Sequence, residues 1–329
     1  MNWNNVSALV RDAKKIALLT HLAPDGDAIG SLMGLSLALR SMGKEATPVV
    51  DGGVPQNLAF IPGSATVQPT LNGAQHDLVI ALDCGDESRM GEAGKQVRAQ
   101  LARKPLINLD HHWSNTRFGD ENMVNTEWAA TAEGVYEWLE ALGVHLSPDV
   151  SQGLLCGIVT DTLCFRTDNT TPQTLDKAQH LMASGANLSY IVQHTLSRIS
   201  TSTIRLWGQV MPTVRIEDRV IWVNVSIAAR KTVGMTEGGD MKDGGLSSVL
   251  LQADEAYISC VFTEKENNKV ELSLRAVPGF DVSQVAVALG GGGHRPAAGA
   301  TVDGTLSEVE ARVIPLLKEA ARAGKPLFV

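Results

Sequence analysis

The 329-residue chain has few cysteines, no excess of positive charge and no long apolar run. Its cysteines, Cys84, Cys156, Cys164 and Cys260, lack CxxC spacing, which argues against a disulfide framework or a structural zinc site and favours a reducing compartment. A formal net charge of −8 excludes a broad basic surface that would coat long nucleic acid. No run approaches the roughly 18 apolar residues of a membrane span, and residues 1–12 lack the apolar core of a signal peptide. We therefore expect a cytoplasmic protein without membrane contact.

The first half of the chain alternates short apolar strands with helices. Predicted strands span 16–20, 46–50, 77–83 and 105–110, and predicted helices span 28–42, 94–103, 130–142 and 149–160. Strands that alternate with helices favour a mostly parallel α/β sheet with helices on both faces. In such sheets ligands collect at the carboxyl ends of the strands, so the residues that follow each strand are the first candidates for a site.

The pattern changes in the last third of the chain. The sequence predicts hairpins from 214–216 with 220–225 and from 257–264 with 269–276, and helices at 282–289 and 306–323. We therefore predict a mostly parallel α/β domain at 1–187, a linker at 188–205 and a smaller α+β domain at 206–329. The glycine-rich segment 234–245 is predicted to be a mobile loop.

Polar side chains that can hold a metal follow three of the predicted strands. Asp110, His111 and His112 come directly after the apolar residues 105–109. A buried carboxylate and two imidazoles must be hydrogen-bonded, paired or coordinated to offset their lost hydration. The other candidates at strand or helix ends are His21, Asp25, Asp27, Asp83 and Asp161. Together these residues predict a hydrolytic centre with two metal ions.

The residue types also indicate the metal. Carboxylates and imidazoles without cysteine favour divalent ions, with Mn²⁺ first and Mg²⁺ or Co²⁺ as alternatives. Two ions about 3.5–4 Å apart need a bridging carboxylate, and Asp83 is well placed to bridge because it ends a strand. Taken alone, Asp27 is equally a helix N-cap in a Pro-Gly turn, Asp83 a turn residue and Asp161 a helix-end residue. The combination of segments favours the metal centre.

A second set of candidates surrounds the glycine run at 290–293. Glycines let the backbone approach a ligand closely and present N–H groups to an anion, and the planar fork of arginine suits phosphate. The predicted substrate-binding residues are Arg166, Arg275, Gly291, Gly292, Gly293, His294 and Arg295. For Arg166 and Arg275, an ordinary surface position is an equally weighted alternative.

The polar segments resemble, in order, the four motifs of the DHH phosphoesterase superfamily. The matching segments are 21–31, 82–86, 110–112 and 159–162, and segment 290–299 resembles the glycine-rich motif of the DHH-associated C-terminal domain. The two-domain layout is similar to the bacterial oligoribonuclease (nano-RNase) and pAp-phosphatase subfamily. One departure is Leu163, which follows Thr162 where the family often has glycine.

The resemblance implies a role for each candidate. One ion would be held by His21, Asp25 and Asp83. The other would be held by Asp27, Asp83, His111 and Asp161. His112 would face the substrate phosphate as acid or stabiliser, with Asp110 supporting the histidine pair. Arg275, His294 and Arg295 would hold the substrate's phosphate or terminal nucleotide from the second domain, so the resemblance places the active site in the interdomain cleft.

The activity implied by the resemblance is a Mn²⁺-dependent phosphodiesterase and phosphatase. It would hydrolyse short RNA, the dinucleotide pApA, cyclic di-AMP or pAp to mononucleotides, through attack by a hydroxide between two metal ions. Three alternatives share parts of the pattern: a RecJ-type single-strand exonuclease, a family II inorganic pyrophosphatase and a non-catalytic nucleotide sensor. The short chain and acidic charge argue against the first, the glycine-histidine segment against the second, and the intact ligand set against the third. A homodimer is left open.

Overall fold

The computed structural model describes residues 1–71, 76–100, 104–197, 199–235 and 244–326, and does not describe the side chains of Arg98 and Gln100. The chain divides into two compact units, Met1–Arg198 and Ile199–Val329. Residues 236–243 of the predicted mobile loop, and residues 101–103 at the end of a predicted helix, lie outside the described residues. No helix in the described ranges is long and apolar enough to span a bilayer.

The first unit is a parallel sheet with helices. Helices α1 to α7 span Asn4–Asp12, Gly26–Ser41, Gly91–Gln100, Thr131–Leu142, Pro148–Asp161, Pro172–Ala183 and Leu188–Thr195. Strands β1 to β5 span Lys15–Leu19, Glu45–Val49, Leu78–Leu82, Leu106–Asp110 and Glu121–Val124. The strands pair in the order β2-β1-β3-β4-β5, and every neighbouring pair is parallel. The predicted α/β fold class is confirmed, whereas α1 and β5 were not predicted.

The central strands are covered on both faces. Every residue of β3 and β4 is buried, as are the last four residues of β1, which explains why these strands are continuous apolar runs rather than alternating ones. Apolar side chains of α2, among them Ile29, Leu32 and Leu35, are fully buried in the main core of this unit. The sheet is therefore a fixed base for the residues that follow its strands.

Glycines bring α2 and α5 unusually close together. A Cβ atom on Gly30 would lie 2.4 Å from the carbonyl oxygen of Gly153, so only glycine fits at this crossing. Near the start of α2, a Cβ on Gly26 would lie 2.4 Å from the side chain of Thr160, close to the end of α5. This packing sets the first turn of α2 beside the last turn of α5, where Asp27 and Asp161 lie.

The second unit is a mixed sheet with helices, which confirms the predicted α+β class. Helices α8 to α12 span Thr201–Val210, Ile227–Thr232, Leu246–Leu250, Ser283–Ala288 and Leu306–Ala323. Strands β6 to β11 span Arg215–Glu217, Val220–Val225, Ile258–Lys265, Lys269–Ala276, Gly292–His294 and Ala297–Asp303. The order is β10-β11-β9-β8-β7-β6, with β7 and β8 parallel and the other neighbours antiparallel. Both predicted hairpins are present, as β6–β7 and β8–β9.

Two segments differ in detail from the sequence expectation. Residues 290–299 form a short hairpin of β10 and β11, which we call the glycine hairpin, where the sequence predicted no strands. The segment predicted as a linker, 188–205, contains α7 and the start of α8, and Ile191 of α7 is buried in the core of the first unit. The domain boundaries themselves stay a prediction.

Candidate metal centre

The carboxyl ends of three adjacent strands bring together the polar residues of the first unit. His21 follows β1, Asp83 follows β3, and Asp110 ends β4 with His111 directly after it. Because neighbouring parallel strands end at the same edge, these side chains converge there. We call the convergent set the strand-end cluster: His21, Asp25, Asp27, Asp83, Asp110, His111, His112 and Asp161.

His21 is buried with its ring orientation fixed. Its Nδ1 lies 2.8 Å from the carbonyl oxygen of Leu22, a distance that requires a hydrogen on Nδ1 because the carbonyl only accepts. Its Nε2 lies 3.4 Å from Oδ2 of Asp83 and 4.0 Å from Oδ1 of Asp25. Burial lowers the pKa of His21, but the hydrogen bond and charge of Asp83 outweigh burial and raise it above its ordinary value. One nitrogen is thus anchored to backbone, and the other faces two carboxylates.

His111 faces three carboxylates. Its Nε2 lies 3.3 Å from Oδ2 of Asp161, 3.6 Å from Oδ1 of Asp83 and 4.0 Å from Oδ2 of Asp27. Its Nδ1 lies 3.4 Å from the carbonyl oxygen of Trp128, on the approach to α4. The two ring nitrogens therefore repeat the arrangement at His21, with backbone on one side and carboxylates on the other.

Asp27 is completely buried and caps a helix remote in sequence. The N-cap position of α4 is Ala130, which has no side-chain acceptor, and the carboxylate of Asp27 accepts from the backbone N–H groups of Thr131 at 2.6 Å and Ala132 at 3.0 Å. Burial raises the pKa of Asp27 well above its ordinary value, and the charges of Asp83 and Asp25 raise it further. The N-cap of α2 is Asp25, not Asp27, so the capping alternative considered from sequence assigned the wrong aspartate.

Asp83 lies at the centre of the cluster. Its backbone has φ +57°, a left-handed conformation that aspartate tolerates better than most residues. Its Oδ1 accepts a hydrogen bond of 2.9 Å from the hydroxyl of Thr131, and this oxygen also lies 3.6 Å from Nδ1 of His112. Burial alone would raise the pKa of Asp83, but the hydrogen bond to His21 and the charges of the three surrounding histidines lower it below its ordinary value.

His112 is held by a buried polar chain. Its Nδ1 donates to Oδ1 of Asp110 at 2.8 Å, and Oδ2 of Asp110 accepts from Nδ2 of Asn115 at 2.5 Å. Asn115 also donates to the carbonyl oxygen of Cys84 and to the side chain of Asn108. Burial lowers the pKa of His112, but Asp110 and Asp83 raise it more, so the net shift is upward. Asp110 thus fixes both the tautomer and the orientation of this ring.

The donor atoms fit divalent cations. Three overlapping groups each offer ligand atoms within 4.8 Å of one another: His21, Asp25 and Asp83; Asp27, His111 and Asp161; Asp83, His111 and His112. Burial and then the charges of neighbouring carboxylates raise the pKa of Asp161 well above its ordinary value, a crowding that a cation would relieve. No cysteine belongs to these three groups, and burial raises the pKa of the adjacent Cys84 thiol. Oxygen and imidazole donors without thiolate suit Mn²⁺ or Mg²⁺.

The predicted substrate residues at 291–295 of the second unit are exposed, whereas Arg275 is half-buried. His294 and Arg295 are exposed, and Nε of Arg295 lies 3.4 Å from the carboxylate of Asp281. A Cβ on Gly291 would lie 2.1 Å from the carbonyl oxygen of Gly299, and one on Gly293 would lie 2.5 Å from Cα of Ala298. These two glycines are therefore required by the hairpin itself.

Gly292 and Arg275 differ from those two glycines. A Cβ on Gly292 would meet nothing within 4 Å, so the hairpin does not require glycine there. Arg275 lies in β9 beside β11, and its Nη1 donates to the carbonyl oxygen of Leu274 at 2.9 Å. The roles of both residues in substrate binding stay predictions.

A left-handed turn follows Asp161. Leu163, Cys164 and Phe165 all have positive φ, of 47°, 60° and 63°. Such a conformation costs about 1–2 kcal/mol per non-glycine residue, which gives a physical reason for glycine at the position of Leu163 in the resembled family. Nε of Arg166 donates to the carbonyl oxygen of Leu163 at 2.7 Å, so this arginine closes the turn. Its predicted contact with substrate stays a prediction.

The sequence did not predict several residues that hold or adjoin the cluster. Thr131 contacts Asp27 through its backbone and Asp83 through its hydroxyl, Asn115 holds Asp110, and Nη2 of Arg89 lies 3.3 Å from Nδ1 of His21. None belongs to the segments that suggested the site. Thr131 starts a helix whose N-cap, Ala130, has no acceptor, and this missing cap was the one local signal available.

Comparison with known proteins identifies the class. The N-terminal domain of the DHH family matches residues 15–158, and the DHHA1 domain matches residues 244–323. The chain belongs to the DHH family of phosphoesterases, and the predicted family and enzyme class are confirmed.

Its relatives include named enzymes. The chain is 36% identical to the bifunctional oligoribonuclease and PAP phosphatase NrnA of Thermus thermophilus, over 94% of this chain and 91% of that protein. It is 26% identical to the cyclic-di-AMP phosphodiesterase GdpP of Geobacillus thermodenitrificans, over 97% of this chain and 49% of that one. The crystal structure of an exopolyphosphatase-related protein from Bacteroides fragilis shares the fold, with a TM-score of 0.88, 23% identity and 97% coverage of both chains.

Proposed function

We propose that this chain is a divalent-metal-dependent phosphodiesterase and phosphatase that cleaves short oligoribonucleotides, pApA, cyclic di-AMP and pAp to mononucleotides. The observation that carries the proposal is the convergence of buried carboxylates with His21 and His111 at one sheet edge. The 36% identical relative named oligoribonuclease and PAP phosphatase supports the substrate class.

Within this proposal, the cluster holds two ions, with Mn²⁺ as the first candidate. His21, Asp25 and Asp83 hold one, and Asp27, Asp83, His111 and Asp161 hold the other. When bound, such ions act as Lewis acids toward phosphoryl oxygens and lower the pKa of bound water toward neutrality. The side chains of Asp27 and Asp83 are already fixed by Thr131, so little reorganisation accompanies loading.

His112 is the proposed proton-handling residue. Because its Nδ1–H is committed to Asp110, Nε2 is the ring atom that can hold or deliver a proton at a phosphoryl or leaving-group oxygen. Its raised pKa increases the fraction of the ring that is protonated at a given pH. A protonated ring suits an acid or a cationic stabiliser of charge on phosphate. On the second unit, Arg275, His294 and Arg295 are proposed to hold the substrate's terminal phosphate or nucleotide.

A Mn²⁺ titration of pApA hydrolysis, with AMP quantified, tests the proposal. We expect metal-dependent AMP release that is lost in His111→Ala and retained in His145→Ala, a matched exposed histidine outside the cluster. Parallel reactions with RNA of two to five residues, cyclic di-AMP and pAp rank the substrates. Cleavage of pyrophosphate but none of these would replace the proposal with a pyrophosphatase, and nucleotide binding without any hydrolysis would replace it with a sensor.

A further inference from the structure

Arg89 is a cation at the edge of the strand-end cluster. It lies in the 3-10 helix Glu87–Met90 after β3, and its carbonyl oxygen accepts a hydrogen bond of 2.7 Å from the backbone N–H of Leu22. The side chain is exposed, and its Nη2 lies 3.3 Å from Nδ1 of His21. The backbone contact fixes the position of Arg89 independently of its side chain, and the side chain brings a guanidinium beside a candidate metal ligand.

The contact with His21 does not use the guanidinium as a hydrogen-bond donor. Nδ1 of His21 carries its hydrogen toward the carbonyl oxygen of Leu22, only 2.8 Å away. A ring nitrogen that donates has no lone pair left to accept, so the N–H groups of Arg89 cannot bond to it. The donors of the guanidinium are therefore not used by His21.

Among the residues that the structure describes, no Asp or Glu lies within ion-pair distance of the guanidinium of Arg89, although the neighbouring cluster is rich in aspartates. An exposed arginine next to this many acids, with none of them as its partner, is arranged for an anion from solution.

We infer that Arg89 binds a phosphoryl oxygen of the substrate, a role for the first unit in substrate recognition that complements the metal ligands. This inference rests on the proposed function. The planar fork of arginine matches two phosphate oxygens, and its charge offsets the repulsion between an incoming phosphate and the aspartates. The phosphate is either the group that is cleaved or a second phosphate of the same nucleotide, and the two cases are separated by experiment.

The test compares Arg89→Gln and Arg89→Lys with the control Arg11→Gln, which removes an exposed arginine from the end of α1. Calorimetry measures pAp binding and Mn²⁺ binding, and kinetics measure kcat and KM on pApA and on bis(p-nitrophenyl) phosphate, which has a single phosphate. We expect Arg89→Gln to weaken pAp binding and lower kcat/KM about 10- to 100-fold, the size of a lost charge-assisted hydrogen bond. Mn²⁺ affinity should stay unchanged, and Arg89→Lys should recover part of the loss.

The outcomes separate this inference from the proposed function. A loss on both substrates assigns Arg89 to the cleaved phosphate, and a loss on pApA and pAp alone assigns it to a second phosphate. Unchanged pAp binding in Arg89→Gln overturns the inference, and so does a matching fall in Mn²⁺ affinity, which would make Arg89 a support for His21. If the wild-type protein hydrolyses none of the substrates, the proposed function fails, while the pAp binding comparison still decides the role of Arg89.

Discussion

The strand-end cluster and the glycine hairpin were both expected to form the site, yet they are built differently. In the cluster, Asp27, Asp83 and Asp110 are buried, and each carboxylate accepts from donors on other segments. In the glycine hairpin, His294 and Arg295 are exposed, and Gly291 and Gly293 are explained by the closeness of β10 and β11. The first region holds its carboxylates in fixed positions through hydrogen bonds, whereas the second presents polar groups on a surface.

The same sequence signal can therefore have two physical origins. A polar residue at the end of a buried strand must find a partner, so its presence already implies a site. A glycine can be required by a neighbouring strand alone, so its presence implies a ligand only after the strand has been excluded as the reason. The following predictions test where this division holds.

The largest effect is expected from Asp83→Asn. Asparagine tolerates the left-handed backbone and keeps an acceptor for Thr131, so the change removes charge and little else. We expect kcat/KM on pApA to fall by about 10³-fold or more, because electrostatic stabilisation at the reacting group would be lost. The matched control is Asp86→Asn, which changes the exposed cap of the next 3-10 helix. An equal fall in kcat/KM in both variants would show that removing either carboxylate charge has the same effect, and would contradict a specific role for Asp83.

Thr131→Val should have a smaller effect on the same cluster. Valine preserves the volume and the backbone donor to Asp27 but removes the hydroxyl that donates to Asp83. We expect Mn²⁺ affinity to fall about 10- to 100-fold by calorimetry, as is typical when a hydrogen bond to a metal ligand is lost. Thr131→Ser keeps the hydroxyl and should bind metal almost as the wild type does. A fall in thermal stability without any change in Mn²⁺ affinity would make Thr131 a helix residue only.

The sequence predicted the residues of the strand-end cluster but not the residues that hold them in place, and this difference has a physical reason. His21, Asp83 and Asp110 lie at the ends of strands whose parallel arrangement can be inferred from alternation with helices, so their placement at one edge of the sheet follows from that arrangement. Thr131 acts on Asp27 from 104 residues away, through a backbone N–H group that every residue except proline has. No residue type marks such a role, and only the path of the chain reveals it.

In the second unit, the sequence likewise predicted the elements with a local signal and missed one that depends on tertiary contacts. The hairpins β6–β7 and β8–β9 were predicted because their strands alternate and their turns are polar. The glycine hairpin was not predicted, because glycine has low strand propensity. Strand β10 exists because Gly291 and Gly293 let it approach β11, a tertiary effect that propensity does not contain.

Paired glycine substitutions decide what the glycine hairpin does. Gly293 has φ +139° and no room for a Cβ, so Gly293→Ala should lower the free energy of unfolding by about 1–3 kcal/mol in urea denaturation. Gly292 meets nothing within 4 Å, so Gly292→Ala should change stability by less than about 0.5 kcal/mol. If Gly292→Ala nevertheless raises KM for pApA, the backbone there approaches substrate. Unchanged kinetics would leave the glycines with a structural role alone.

The smallest effects should come from two capping carboxylates, one in each unit and both remote from the proposed site. Asp77 accepts from the backbone N–H groups of Lys14 and Lys15, and Glu308 accepts from the N–H and hydroxyl of Thr305 at the start of α12. Backbone hydrogen bonds are the main cause that lowers the pKa of each carboxylate.

A lowered pKa means that each carboxylate stabilises the folded state above its ordinary pKa, and that this stability is lost as the pH falls through the lowered value. Asp77→Ala and Glu308→Ala should therefore unfold at lower urea concentration than the wild type at pH 7. The difference should shrink toward zero as the pH falls through the lowered pKa. A difference that persists in acid would show that the side chains stabilise the folded state by packing.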